Sequence, residues 1–393
     1  MFKGCSNLNY IKCSATDLSY SSGLTDWVDG VAATGTFVKV LSSSWTTGTS
    51  GIPTGWTAEV DYSNEPLTFE ITSDGNISWK YYCINTSEDP YNSGGIKTLK
   101  YSKNGGTWTN IVSSDNGTTI SVVAGDIVQF KFGAGIYDNN VDLYSSFQGT
   151  TASFEVGGNL SSIYRSTNES QPYLFKGTPV VSAKNLIMPS SVGYQAYYCM
   201  FQNCTSLTTA PTLSVTTLAK YCYAYMFSGC TALTTAPTLP ATSMTDFCYY
   251  YMFSGCTALT TAPELPAKSL KQYCYCSMFE GCTALTTAPA LPATTLVNAC
   301  YYSMFKGCTT LTTAPDLLAS TLVTYCYRYM FQNCRSLNYI KCLATSVSAG
   351  ACTTSWVSGV ASVGTFVKKS GMSGWTTNEN GIPVNWTVRL ADN

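Results

Sequence analysis

The dipeptide Met-Phe recurs at Met200, Met226, Met252, Met278, Met304 and Met330, and each step is 26 residues. This fixed period constrains the fold more than any other feature. A unit this short cannot bury its apolar side chains alone, so the copies must stack into a solenoid with a continuous core. One unit reads Met226-Phe227-Ser228-Gly229-Cys230-Thr231-Ala232-Leu233-Thr234-Thr235-Ala236-Pro237, then Leu239-Pro240-Ala241-Thr242 and Phe247-Cys248-Tyr249. A degenerate copy begins at Leu174-Phe175-Lys176-Gly177, with Ile187 and Val192 at later apolar positions. The array therefore has about seven units over 174–355.

Local spacing predicts the elements of a unit. Cys222, Met226 and Cys230 stand at i, i+4 and i+8, with Phe227 beside Met226, the apolar face of a short helix. Gly229 stands where such a helix ends. Leu233, Ala236 and Leu239 follow, but Pro237 cannot donate to a ladder, so any strand there is short and irregular. Leu218, Met244, Leu270, Leu296 and Leu322 give each unit a further apolar anchor.

The repeat signature also opens the chain. Ser6-Asn7-Leu8-Asn9-Tyr10-Ile11-Lys12-Cys13 matches Arg335-Ser336-Leu337-Asn338-Tyr339-Ile340-Lys341-Cys342, and Gly35-Thr36-Phe37-Val38-Lys39 matches Gly364-Thr365-Phe366-Val367-Lys368. Gly51-Ile52-Pro53 with Trp56-Thr57 matches Gly381-Ile382-Pro383 with Trp386-Thr387. Residues 1–59 are thus expected to be a truncated repeat plus cap of a preceding module, and 356–393 a C-terminal cap. A solenoid face without its preceding repeat is uncapped, so another module or chain is expected to dock there. Between them, 60–173 alternates differently: Leu67-Thr68-Phe69-Glu70-Ile71-Thr72, Ile120-Ser121-Val122 and Val128-Gln129-Phe130-Lys131-Phe132 are separated by Ser73-Asp74-Gly75-Asn76, Asn104-Gly105-Gly106 and Ala124-Gly125-Asp126. Such runs read as an antiparallel β-sandwich of immunoglobulin-like type. The expected fold is mixed: that sandwich, then an α/β solenoid of leucine-rich-repeat type, then a β-type cap.

Cysteine forms two ladders, Cys222 to Cys352 and Cys204 to Cys334, in steps of 26. On helices, the two cysteines of a unit would lie about 12 Å apart and equivalents on neighbours about 8–10 Å, too far for disulfides. They are read as small buried hydrophobes. Cys13, Cys83, Cys276 and Cys342 fall outside both ladders. The chain has no His, which excludes Ser-His-Asp and Cys-His catalysis and weakens any metal reading. No cofactor, metal or enzyme activity is expected. A net charge of −1 speaks against a nucleic-acid surface, and no run of about 18 apolar residues is present to span a membrane. Asn76-Ile77-Ser78 and Asn85-Thr86-Ser87 are glycosylation sequons of low specificity.

The unit Leu-Thr-Thr-Ala-Pro-x-Leu-Pro-Ala…Met-Phe-x-Gly-Cys resembles the BspA-like leucine-rich repeat. The longer 26-residue variety is similar to that of surface and phage proteins of gut anaerobes, where a β-domain, repeats and a Gly-Thr-Phe-Val-Lys…Gly-Ile-Pro…Trp-Thr cap occur in this order. The resemblance implies adhesion or recognition outside the cell, on a bacterial surface or a virion, without catalytic residues. It implies a host-surface protein or glycan as partner.

Positions that differ between units mark candidate binding residues. One column is Thr212, Thr238, Glu264, Ala290 and Asp316. It flanks the expected strand and is read as lying on the sheet face. A second is Lys220, Asp246, Gln272, Asn298 and Thr324. A third is Tyr225, Tyr251, Ser277, Ser303 and Tyr329, of which the tyrosines are binding candidates. Side chains free to vary are expected to face solvent. A further tyrosine column, Tyr223, Tyr249, Tyr275, Tyr301 and Tyr327, suits either an exposed recognition surface or an internal stacked ladder.

Overall fold

The computed structural model describes residues 1–15, 24–41, 43–83, 99–111, 118–133, 143–163, 171–372 and 374–391. No α-helix occurs among them; the 3-10 turn Leu160–Ile163 is the nearest approach. The expected α/β solenoid is therefore an all-β-type coil, and the reason lies in the backbone of the Cys-Tyr-x-x-Met-Phe segment.

That segment is a run of overlapping tight turns. Cys222, Ala224, Met226, Ser228 and Cys230 donate their N–H to the carbonyls of Ala219, Tyr221, Tyr223, Tyr225 and Phe227 at 3.0–3.2 Å. The residues between them turn outward along the solenoid. Tyr221, Tyr223, Tyr225, Phe227 and Gly229 donate to the carbonyls of Asp246, Cys248, Tyr250, Met252 and Ser254 of the next coil. Every N–H in the run has a partner, half local and half in the neighbour, which satisfies a buried backbone without a helix. The geometry requires a left-handed residue at every fourth position: Tyr221 (φ 59°), Tyr225 (φ 57°) and Gly229 (φ 77°). A tyrosine at such a φ is strained by about 1–3 kcal/mol. The strain recurs at Phe247, Tyr251, Tyr273, Ser277, Tyr325 and Tyr329 and is held by the inter-coil bonds. Four-residue turns and helical turns both place apolar side chains at i, i+4 and i+8, and this produced the helical reading.

The rest of each coil is extended. Isolated parallel bridges join Thr235 to Thr261 and Thr261 to Thr287, and Thr217 to Ser243 and Ser243 to Ser269. Pro237 and its equivalents keep these contacts to single bridges rather than strands. Inside, Cys222, Tyr223, Met226, Phe227, Cys230, Leu233, Leu239 and Met244 are buried, as are the copies of this set in the following coils.

The first rung is β12 (Val180–Ile187), which also belongs to a sheet of the preceding region. That region contains β4 (Leu67–Ile71), β5 (Gly75–Cys83), β6 (Leu99–Lys103), β7 (Thr109–Ile111), β8 (Thr118–Val122), β9 (Ile127–Phe132), β10 (Leu143–Ser146) and β11 (Phe154–Asn159). Its strands form a six-stranded sheet in the order β12-β11-β4-β9-β6-β7 and a three-stranded sheet in the order β10-β5-β8. All pairs are antiparallel except β11 with β12. The two sheets meet through rings: Phe69 lies 4.6 Å from Phe147, and Trp79 lies 4.7 Å from Phe147. Phe147 stacks on Phe175 at 5.7 Å, and Phe175 on Phe201 at 5.1 Å, so one apolar core runs on into the solenoid.

Two three-stranded parallel sheets of the same construction, called caps after the sequence expectation, close the picture. β1 (Tyr10–Cys13), β2 (Thr36–Val40) and β3 (Thr57–Asp61) form one parallel sheet; β13 (Tyr339–Cys342), β14 (Thr365–Lys368) and β15 (Thr387–Leu390) form the other. Their tryptophans hold the same bonds. Trp56 Nε1 donates to Ala32 O at 2.7 Å and Trp386 Nε1 to Ala361 O at 2.8 Å. Gly35 and Gly364 each leave no room for a Cβ, which would strike the carbonyl of Asn9 or Asn338 and the neighbouring indole. This close approach explains why both copies keep Gly before Thr-Phe-Val-Lys. The first cap has a core of its own around Ile11, Trp27, Phe37, Trp45 and Trp56.

Candidate functional site

Thr212, Thr238, Glu264, Ala290 and Asp316 are all exposed. They do not converge on one site. Thr238 and Glu264 share a shallow cleft of about 210 Å³ walled by Pro240, Pro263 and Pro266. Thr212 lines a separate cavity of about 380 Å³ with Asp61, Ser63, Lys184 and Ser214, where β3 meets β12. Asp316 forms an ion pair with Lys341 at 2.6 Å. The column is an exposed stripe with distinct local chemistry at each rung.

The third column departs from expectation. Tyr225, Tyr251 and Tyr329 are partly buried, but Ser277 and Ser303 are fully buried, so variation between units does not imply exposure. All five hold left-handed backbone positions of the turn run. Tyr225 and Tyr251 stack at 5.0 Å. Tyr329 meets Tyr302 edge-on at 5.6 Å and accepts a hydrogen bond from Arg328 at 2.8 Å. Beside them runs a stack that the repeat comparison missed: Tyr221 on Phe247 at 4.6 Å and Phe247 on Tyr273 at 4.8 Å. These rings cover one another's faces and present edges and hydroxyls. In the second column, Lys220, Gln272 and Thr324 are exposed, whereas Asp246 and Asn298 are partly buried. Asp246 accepts a hydrogen bond from the Gln272 N–H at 3.2 Å.

The Tyr223 column is internal. Tyr223, Tyr249, Tyr275, Tyr301 and Tyr327 are buried and stack at 5.9–6.2 Å, ending on Trp356 at 6.1 Å. A parallel stack of Phe201, Phe227, Phe253, Phe279, Phe305 and Phe331 runs at 5.6–5.8 Å.

The cysteines are free thiols wherever they are described; the Cys83 side chain and the sequon at Asn85 lie outside the described residues. The spacing expected for helices does not apply, because neighbouring coils are hydrogen-bonded directly. The thiols instead act as donors. Cys230, Cys256, Cys282, Cys308 and Cys334 each donate to the carbonyl of a phenylalanine in the preceding coil at 2.9–3.1 Å. Burial pushes the Cys256 and Cys334 thiols up to about 12, which leaves almost no thiolate for nucleophilic work. Cys276 and Cys342 are also buried, and Cys13 is partly exposed. Of the two sequons, Asn76 lies in β5, with its side chain accepting from Ser121 and its Ser78 buried.

The residues most consistently offered to solvent were not among the candidates, because they do not vary. Thr208-Thr209, Thr234-Thr235, Thr260-Thr261, Thr286-Thr287 and Thr312-Thr313 are exposed on successive coils. Their invariance reads as structural in the sequence, yet an extended segment bridged at Thr235 leaves both hydroxyl-bearing side chains outside. The surface they make is neutral and regular.

Among the described residues, no group of three Cys, Asp or Glu side chains is placed to hold a metal ion, and no helix is long and apolar enough to cross a membrane. No curated protein and no solved structure matches the chain. The pattern of the BspA type leucine rich repeat region matches it in 6 copies, over residues 153–260 and 223–352. These matches span just over half of the 393 residues and cover the coils described above. The chain belongs to the BspA-type leucine-rich-repeat family.

Proposed function

We propose that the protein is a non-catalytic recognition module that works outside the cell, binding a host-surface protein or glycan along the exposed face of the solenoid. The observation that carries this reading is the division of labour within the coil. Within the coils the ladder cysteines and the inner phenylalanine and tyrosine columns are buried, the rings stacked on one another and the thiols of Cys230 to Cys334 bonded to carbonyls, while paired threonines and the Thr212–Asp316 column are turned outward on successive coils. A neutral, hydroxyl-rich and regularly spaced surface favours an uncharged, extended ligand over nucleic acid, whose binding needs clustered cations. In this reading 60–173 is a β-sandwich that carries the solenoid 174–355, flanked by caps at 1–59 and 356–393.

The test is a glycan and host-protein screen with the full chain and with a Thr235→Lys, Thr261→Lys, Thr287→Lys variant. Binding by the native chain that the variant loses supports the reading. Absence of any ligand, or binding that survives the three lysines, overturns it. The duplicated cap favours a second reading, a spacer or receptor-binding segment of a phage tail or fibre built from successive modules. Immunodetection of the protein in purified virions distinguishes the two.

A further inference from the structure

The exposed stripe from Thr212 to Asp316 begins in a cavity of about 380 Å³, and that cavity is built by two separate parts of the chain. Asp61 and Ser63, at the end of β3, line it on one side. Lys184 and Asn185 of β12 line it on the other, with Thr212 and Ser214 of the following coil. Its walls are fastened. The Ser63 N–H donates to Asp61 Oδ1 at 3.0 Å, the Glu65 N–H to Tyr62 O at 3.1 Å, and the Asn159 N–H to Glu65 O at 2.9 Å. Gly157 of β11 lies so close that a Cβ there would come within 2.9 Å of the Tyr62 ring and 3.1 Å of the Asn185 Cβ. The cleft is therefore preformed and sits at a junction, where small-molecule sites concentrate.

Its chemistry is mixed and balanced. Tyr62, Leu186 and Met188 are buried and give it an apolar surface, while Ser63, Thr212 and Ser214 are exposed and bring hydroxyls. Asp61 is a fixed acceptor whose charge is met by Lys12 at 2.7 Å. Lys184 is exposed and forms no ion pair among the described residues. Its charge is offset at longer range by Glu70, whose carboxyl is raised by burial and by Glu155 and lowered by Lys184. An anion entering the cleft would gain Lys184 but face Asp61, and a cation would face Lys184. A hydroxyl both donates and accepts. A ring that carries several hydroxyls around an apolar C–H face therefore satisfies both walls.

We infer that this cleft binds a neutral pyranose ring, with hydroxyls between Asp61 and Lys184 and the C–H face against the apolar surface. The inference rests on the outward face of the solenoid being a recognition surface, and names the class of ligand and where its end residue sits. A glycan laid along the stripe would place its terminal ring here. Its next residues would run over the smaller cleft of about 210 Å³ at Thr238 and Glu264, on the coils that follow. Those coils succeed one another at about 4.8 Å.

The experiment titrates the full chain with neutral methyl hexopyranosides and follows the amide resonances of Lys184, Asn185, Thr212 and Ser214. At least one hexoside should shift them, with a Kd of about 1 mM. Ser214→Trp, which fills the cleft from an exposed position, should abolish the shifts at Lys184 and Asn185. Ala290→Trp, the same bulk at an exposed position further along the stripe, should leave them unchanged. A linear oligosaccharide ending in the responding hexose should bind more tightly and lose at least about tenfold in Ser214→Trp. Equal affinity for the single ring and the oligosaccharide would keep the cleft and make a free sugar its ligand. Absence of shifts with every neutral hexoside overturns the proposal, as does a response to uronic acids or amino sugars alone. A host ligand that the three threonine-to-lysine changes abolish but Ser214→Trp leaves unaffected also overturns it, while the recognition surface itself would stand.

Discussion

The two caps share their parallel register, their indole hydrogen bonds and their crowded glycine, and differ in what lies in front of them. In the C-terminal cap, Trp356 is fully buried under Tyr327 and Phe331 and donates to Gly381 O at 2.8 Å. In the N-terminal cap, Trp27 contacts Phe2, Phe37 and Trp45, and its Nε1 finds no acceptor among the described residues. Near-identical residues therefore belong to a continuous core in one place and to a small separate core in the other. In a solenoid, the stability of a cap is set by its neighbour as much as by its own sequence.

The sharpest way to break this comparison is to remove the two tryptophans. Trp356→Ala should cost about 3–5 kcal/mol in chemical denaturation, because its cavity opens inside a packed column. Trp27→Ala should cost clearly less. Equal losses would mean that the caps are energetically alike and that the column contributes nothing to Trp356.

Thiol chemistry sharpens the same contrast. Cys13 and Cys342 are counterparts, but Cys342 is fully buried and its thiol is pushed up to about 12 by that burial. Alkylation near neutral pH should modify Cys13 at least about a thousandfold faster than Cys342, as read by mass spectrometry of peptides quenched over time. Comparable rates would show that the C-terminal cap opens as readily as the N-terminal one.

The smallest effect concerns the lysine pair. Lys12 and the Ser63 N–H hold the Asp61 carboxyl at about 2, below its ordinary 3.8. An aspartate lowered on folding contributes stability that is present above its unfolded value and lost as pH falls through its folded value. The N-terminal cap should therefore weaken between pH 3.8 and about 2. Lys12→Gln should flatten the slope of stability with pH in that window, measured by acid titration of the Trp45 and Trp56 fluorescence. An unchanged slope would remove the ion pair from the account.

Much of the architecture was legible because it rests on periodicity. The 26-residue step, the duplicated cap and the strands around Phe69, Val122 and Phe130 follow from recurrence and alternation. The turn run was not legible, because apolar residues at i, i+4 and i+8 satisfy two backbones. The one discriminating clue was the strictness of the four-residue step: on a helix, residues eight apart drift by about 80°, while Cys222 and Cys230 are equally buried. Tyrosine at a left-handed position gave no warning, since propensity assigns that place to glycine or asparagine. For the site, variability pointed to Ser277 and Ser303, which the fold buries, and passed over the paired threonines, which it exposes.

The alternation of hydrogen bonds along the turn run has a mechanical consequence. Successive coils are joined by rows of bonds parallel to the solenoid axis, with ring stacks and thiol bonds running alongside them. A load applied to the chain ends of such an array peels it from a terminus rather than shearing the whole stack at once. Each coil that detaches pays out about 90 Å of chain for its 26 residues. Stretching one molecule should give a train of small, evenly spaced force peaks, so that a tether of this construction lengthens stepwise under drag and keeps its remaining coils intact.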